Sequence, residues 1–349
     1  MPKVSVLVST FRPGGIDILL AGMRDQTFKN FEVIVVDRRY EIRHDLVMAA
    51  ADGLDLYHVP EHRRNGKWAA IGSAWNTAMA LANGDIFIFL PDWTYTPPGW
   101  IEAHLAVHAA TTGVVYTAAP YRYTALPQVG IKKPFDFSTQ QGRGASCSEL
   151  DAVLRGEIFE ELSAFMEPFT GEVAFSLPHH LLPHQDSRVA DAGQALHPTW
   201  LHVKNESLGR DLAFMLNGLD ERLDRGKGPL DIDWGYRLAA VGVMGLWTPA
   251  AMALCPNPRL VCGTMPWGDR DTRVESRWSY LDGDAYNQRR KAELNEGGNV
   301  QARNPFKLID LRERLVDEGW RDKTKVVDVT TLEVADLAYF GGEIWPDTP

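Results

Sequence analysis

The chain has 349 residues, of which 45% are hydrophobic, and a formal net charge of −10. This is enough length and apolar content for one large α/β domain, or two intimate ones, around a substantial core. The acidic balance excludes a general nucleic-acid backbone binder, which needs clustered Lys and Arg, and three cysteines (Cys147, Cys255, Cys262) are too few and too odd in number for a disulfide framework.

Val4 to Val8 is a short β-branched run, closed by Ser9-Thr10 and the breaker Pro13-Gly14-Gly15, and Ile16 to Arg24 then carries apolar residues at helical spacing. Phe31 to Val36 reads as a second buried strand ending at Asp37, and Leu54 to Val59 as a third. Ile71 to Ala82 is an Ala-rich helix stopped by Asn83-Gly84. It is followed by a strand from Asp85 to Leu90 and a helix from Trp100 to Ala110. Such alternation implies an α/β fold with a mostly parallel, Rossmann-like sheet flanked by helices. Ligands of such sheets sit beyond the carboxyl ends of the strands, which directs attention to Ser9 to Arg12, Asp37 to Tyr40 and the residues after Leu90.

From about Pro127 to Pro198 the pattern gives way to Gly, Pro, Ser and His, with one helical piece from Cys147 to Phe165, and reads as an insertion over the active-site face. Thr199 to Val203 predicts a strand, Leu208 to Met215 and Trp234 to Val241 predict helices, and Met244 to Leu254 predicts a strand. Beyond Pro258, helical runs at Asp284 to Asn295 and Phe306 to Glu318 form a C-terminal extension. The expected organisation is a first half over 1–100, a second half over 101–255 containing the insertion at about 127–198, and the extension over 256–349 packed on the core. No run approaches the about 20 apolar residues of a membrane span, so a soluble, cytoplasmic chain is expected.

The strongest chemical signal is Asn217-Gly218-Leu219-Asp220-Glu221-Arg222 running into Gly228-Pro229-Leu230-Asp231-Ile232-Asp233-Trp234-Gly235-Tyr236-Arg237-Leu238, with Asn205-Glu206-Ser207 before it. Together with Ser9-Thr10-Phe11 and Asp37 at the first two strand ends, this order of residues resembles the family-2 glycosyltransferases, enzymes of the GT-A fold. The resemblance covers about residues 3–255. It implies a GT-A type sheet whose first half, 1–100, binds a nucleotide-sugar and whose second half binds the acceptor. It also implies an inverting transferase that moves a sugar from a nucleotide-diphosphate donor to a hydroxyl acceptor.

Carried over residue by residue, the resemblance makes Asp231 the catalytic base. It assigns Ser9, Thr10, Phe11, Asp37, Arg38, Lys67, Asn76 and Asp92 to the donor, and Asp92 to a Mn²⁺ or Mg²⁺ ion that neutralises the diphosphate. Asp233 is expected to cap a helix starting near Trp234 and, with Trp234, to face the acceptor. That acceptor can be a glycan, a lipid-linked sugar, a protein or a modified base. His179, His180 and His184 offer a further ligand from the insertion, and Arg270 and Arg273 are candidate diphosphate clamps. At Arg38, Trp75, Pro91 and Leu230 the chain departs from the family pattern. Those departures keep open a non-catalytic member that binds a sugar nucleotide or glycan, and Pro13-Gly14-Gly15 offers a weak phosphate loop for a nucleotidyltransferase.

Overall fold

The computed structural model describes residues 3–10, 16–37, 40–51, 53–61, 71–92, 94, 96–111, 115–118, 121–124, 203–223, 229–256, 280–304 and 306–322. The Cys147 to Phe165 helix, the histidines of the insertion, and Phe11, Arg38, Lys67, Arg270 and Arg273 lie outside the described residues.

The apolar runs near the N-terminus become β1 (Val4–Thr10), β2 (Phe31–Asp37), β3 (Leu56–Pro60) and β4 (Ile86–Pro91). β2 is buried at every position, as expected of a parallel strand covered by helices on both faces. The covering helices are α1 (Ile16–Arg24), α2 (Tyr40–Ala50), α3 (Ile71–Leu81) and α4 (Trp100–Ala110). Further strands are β5 (Val115–Ala118), β6 (Tyr121–Thr124), β7 (Glu206–Gly209), β8 (Met244–Trp247) and β9 (Ala253–Pro256).

Among the described residues, seven strands form one sheet in the order β3-β2-β1-β4-β7-β5-β8. β1 to β4 are mutually parallel, β7 runs antiparallel to both β4 and β5, and β8 is parallel to β5. Only β7 therefore opposes the common direction, which is the mostly parallel α/β arrangement expected of the chain. β6 and β9 pair separately as a parallel ribbon.

Two apolar clusters pack on the sheet. One gathers Val6, Ile16, Leu20, Val33, Ile88 and Trp100, and the other Leu7, Val36, Trp75, Phe89, Leu212 and Trp234. Burying each such side chain contributes roughly 1.5–3 kcal/mol. The second cluster also takes in Leu308, Leu311, Leu315 and Trp320, so α8 (Leu308–Asp317) is part of the core. α5 (Arg210–Met215) and a 3-10 turn at Glu221–Leu223 precede α6 (Pro229–Ala240), against which α7 (Tyr280–Asn295) packs.

Several sequence expectations are corrected. α2 was not expected. The strand after the insertion is Glu206–Gly209, with Val203 in a bend before it, and Leu208 belongs to that strand and not to the helix. The run from Met244 to Leu254 is not one strand: Pro249 has no N–H for a ladder, and a 3-10 turn at Pro249–Ala251 separates β8 from β9, which join different sheets.

Candidate functional site

The carboxyl ends of β2, β1 and β4 lie side by side, and four residues expected at the donor, Ser9, Thr10, Asp37 and Asp92, meet there. Ser9 is level with Val36 and Pro91, and Thr10 is level with Asp37. Thr10 Oγ1 donates to Asp92 Oδ2 at 2.8 Å, which fixes a carboxylate that is only 4% exposed just past β4. Asp37 is fully buried at the end of β2.

Sequence reasoning missed the partner of Asp37. His58, buried on β3, places Nε2 at 2.9 Å from Asp37 Oδ2, and His58 Nδ1 lies 3.0 Å from His44 Nδ1 on α2. A carboxylate only accepts, so His58 Nε2–H donates to it. A single N–H, carried by one of the two Nδ1 atoms, makes the contact between the rings. The two rings are within 5° of coplanar, and Tyr40 packs against both. Burial pushes the His44 pKa down, His58 adds to that effect, and Asp45 and Asp37 oppose it. The signal for His58 was its period-2 alternation with buried Leu56, which turns it inward. His44 carried no such signal without α2.

Asn76 lies fully buried on α3. Its amide donates to the Leu219 carbonyl at 2.9 Å and to Glu221 Oε1 at 2.7 Å, and its Oδ1 accepts from the Leu219 N–H at 2.8 Å. Both amide donors are thus spent on the loop after α5, so Asn76 positions that loop instead of touching a donor. The loop is tightly specified. Asn217 and Gly218 have φ of 60° and 66°, and a Cβ on Gly218 would sit 2.2 Å from Asn76 Oδ1. Asn205, also at positive φ, accepts from Trp100 Nε1 at 2.9 Å and donates to the Ala251 carbonyl at 2.8 Å.

α6 begins at Pro229, five residues earlier than expected, because proline at the first helical position loses no hydrogen bond there. This moves every acidic side chain of the motif relative to the cap. Asp231 falls in the first turn and is half-buried. Asp233 is interior to the helix and fully buried, with Oδ2 2.7 Å from Arg237 Nε and Oδ1 3.3 Å from Arg290 Nε. Trp234 is fully buried in the second apolar cluster. Neither Asp233 nor Trp234 faces an acceptor as expected: the first is consumed by two arginines and the second by the core. Asp220, just upstream, is held by Arg222 at 2.6 Å. Burial works to raise its pKa, and Arg222 with Arg237 outweighs that and lowers it.

No group of three or more His, Cys, Asp or Glu side chains among the described residues is arranged to hold a metal. Asp92 is a single hard oxygen donor, already oriented by Thr10 at the carboxyl ends of the strands. It suits a divalent cation that takes its remaining ligands from phosphate and water, as Mg²⁺ does.

Residues 5–146 match the family model described as Glycosyl transferase family 2, which bears out the resemblance read from the sequence. No curated protein matches the chain at a significant level. Similar solved structures include TarS 1-349 of S. aureus, 13% identical with a TM-score of 0.46, over 84% of this chain and 70% of that one. The mannosyltransferase PcManGT of Pyrobaculum calidifontis, in complex with GDP-Man and Mn²⁺, is 15% identical with a TM-score of 0.45, over 94% and 77%. GalNAc-T7, with UDP, GalNAc and Mn²⁺, is 13% identical with a TM-score of 0.47, over 91% and 55%.

Proposed function

We propose that this glycosyltransferase, which carries a family 2 segment over residues 5–146, moves a sugar from a nucleotide-diphosphate donor to a hydroxyl acceptor with inversion, using Asp231 as general base. The observation that supports it most is the convergence of Thr10, Asp37 and Asp92 on adjacent strand ends within that same segment. This is where a parallel α/β sheet receives its ligand.

In this reading Ser9, Thr10 and Asp37 line the donor pocket. Asp37 is held in place at the end of β2 by His58. Asp92 would hold a Mn²⁺ or Mg²⁺ ion together with donor phosphate oxygens, and such an ion supplies positive charge to the departing diphosphate. Asp231 takes the proton from the acceptor hydroxyl as that oxygen forms its bond to the anomeric carbon. The bond from that carbon to the diphosphate oxygen breaks on the opposite face, so the configuration inverts. A positioned base of this kind contributes about 10²–10⁴-fold. Asn76, Gly218 and Glu221 hold the loop that leads towards α6.

No helix among the described residues is long and apolar enough to cross a membrane. The test is a screen of nucleotide sugars for donor turnover, with the parent protein and Asp231→Asn side by side. The anomeric configuration of the product, read by NMR, then decides between inversion and retention.

A further inference from the structure

α7 lies beyond both the family match at 5–146 and the 3–255 stretch that carries the sequence resemblance, yet it packs along α6, the helix that holds Asp231. From α7, Arg290 reaches into the interior and is 2% exposed. Its Nε meets Asp233 Oδ1 at 3.3 Å, and the other oxygen of the same carboxylate is taken by Arg237 at 2.7 Å. The guanidinium also donates to the Asn299 carbonyl at 2.6 Å and lies 3.0 Å from Glu293 Oε1. A second tie runs from Arg222 to Tyr286 on α7 at 3.2 Å. Arg237 in turn donates to the carbonyls of Leu216 and Gly218, both at 2.9 Å, in the loop that Asn76 secures.

We infer that Arg290 is a positioning residue for the transfer reaction. Through the buried Asp233 it fixes the first two turns of α6, and so the place of Asp231, from a segment outside the recognised family region. Two arginines share one carboxylate two residues beyond the proposed base, and one of the two is anchored on a different helix. Such an arrangement sets the rotation and height of α6 against the loop that begins at Asn217, because a planar guanidinium bound to several acceptors tolerates little displacement. This inference rests on the assignment of Asp231 as the base.

The test uses the full chain with Arg290→Met, Arg290→Lys and Asp233→Asn. It measures kcat and donor KM for transfer, together with the melting temperature. The expected result for Arg290→Met is a roughly 10–100-fold fall in kcat, the scale of a misplaced reacting group, with donor KM unchanged, since the donor contacts lie on β1, β2 and β4. Arg290→Lys keeps the charge and should recover part of kcat, and Arg290→Met combined with Asp233→Asn should be no slower than the worse single variant.

A folded Arg290→Met protein with kcat within about twofold of the parent would overturn the inference. So would Arg290→Lys being as defective as Arg290→Met, with kcat and melting temperature falling and KM rising together, or neither variant folding, because Arg290 would then be a general core element. Asp231→Asn transferring at the parental rate would instead defeat the base assignment itself, whatever Arg290 does.

Discussion

Asp231 and Asp233 stand two residues apart and have opposite fates. Asp233 points into the protein and is neutralised by Arg237 and Arg290, whereas Asp231 keeps partial exposure in the first turn of α6. Removing the carboxylate charge of Asp231 as Asp231→Asn should cut transfer by about 10²–10⁴-fold while leaving the melting temperature close to that of the parent, as activity assays and calorimetry would show. Asp233→Asn should behave differently. Leaving two buried guanidinium groups against a neutral amide costs about 3–5 kcal/mol, a loss that chemical denaturation reads directly. Asn76→Ala belongs with Asp233→Asn. It strands the Leu219 N–H in the interior, a loss of about 1–3 kcal/mol, while the Leu219 carbonyl keeps its bond from Asn304.

At the scale of elements, α4 and β7 are joined by a chain of polar contacts that requires neutral histidines. His104 Nε2–H donates to Asn205 Oδ1 at 3.2 Å, Ser207 donates to His104 Nδ1 at 3.0 Å, and His108 Nε2–H donates to Ser207 at 2.9 Å. Burial lowers the His104 pKa to about 3 and the His108 pKa to about 4, both below the ordinary 6.5. Because the unfolded chain binds these protons more readily, stability is fully present above about pH 6.5 and is lost as pH falls towards 4. Unfolding followed by denaturant at pH 7, 6, 5 and 4 should show this decline, and His108→Gln should flatten it.

The elements themselves were unequally legible in the sequence. β1, β2 and β4 could be read as short continuous apolar runs, and α1, α3 and α4 as apolar or Ala-rich helical stretches. α2, which contains Glu41, Arg43, His44 and Asp45, has no clear apolar stripe, and the pairing of His44 with His58 is tertiary. At the site, Asp37 and Asp92 were visible because they terminate strands. The burial of Asp233 and Trp234 was not, because it depends on a helix start at Pro229 and on arginine from α7.

Across the whole molecule, the segment after residue 280 closes the structure from two sides. α7 braces α6, and α8 lies on α3, where Arg312 donates to the carbonyls of Ala80 and Ala82 at 2.8 and 2.7 Å. Arg321 covers the Tyr57 ring at 3.8 Å and donates to Glu32 Oε2 at 2.9 Å, inside the sheet. Burial works to raise the Glu32 pKa. Hydrogen bonds from Ser5 and the Asn83 N–H, with the charge of Arg321, outweigh it and hold the carboxyl below its ordinary value. Arg321→Ala should therefore lower stability by about 1–3 kcal/mol, and the loss should shrink below the carboxylate range, where Glu32 is protonated.

The central claim, sugar transfer driven by Asp231, is tested most directly by one assay. The purified chain is incubated with uridine, guanosine, thymidine, adenosine and cytidine nucleotide sugars, with Mn²⁺ or with chelator, beside Asp231→Asn, and release of the nucleoside diphosphate is followed. The account predicts release from at least one donor by the parent protein, loss of that release on chelation, and little or none from Asp231→Asn. Equal release by parent and variant, or no donor bound or turned over by a demonstrably folded protein, would contradict it.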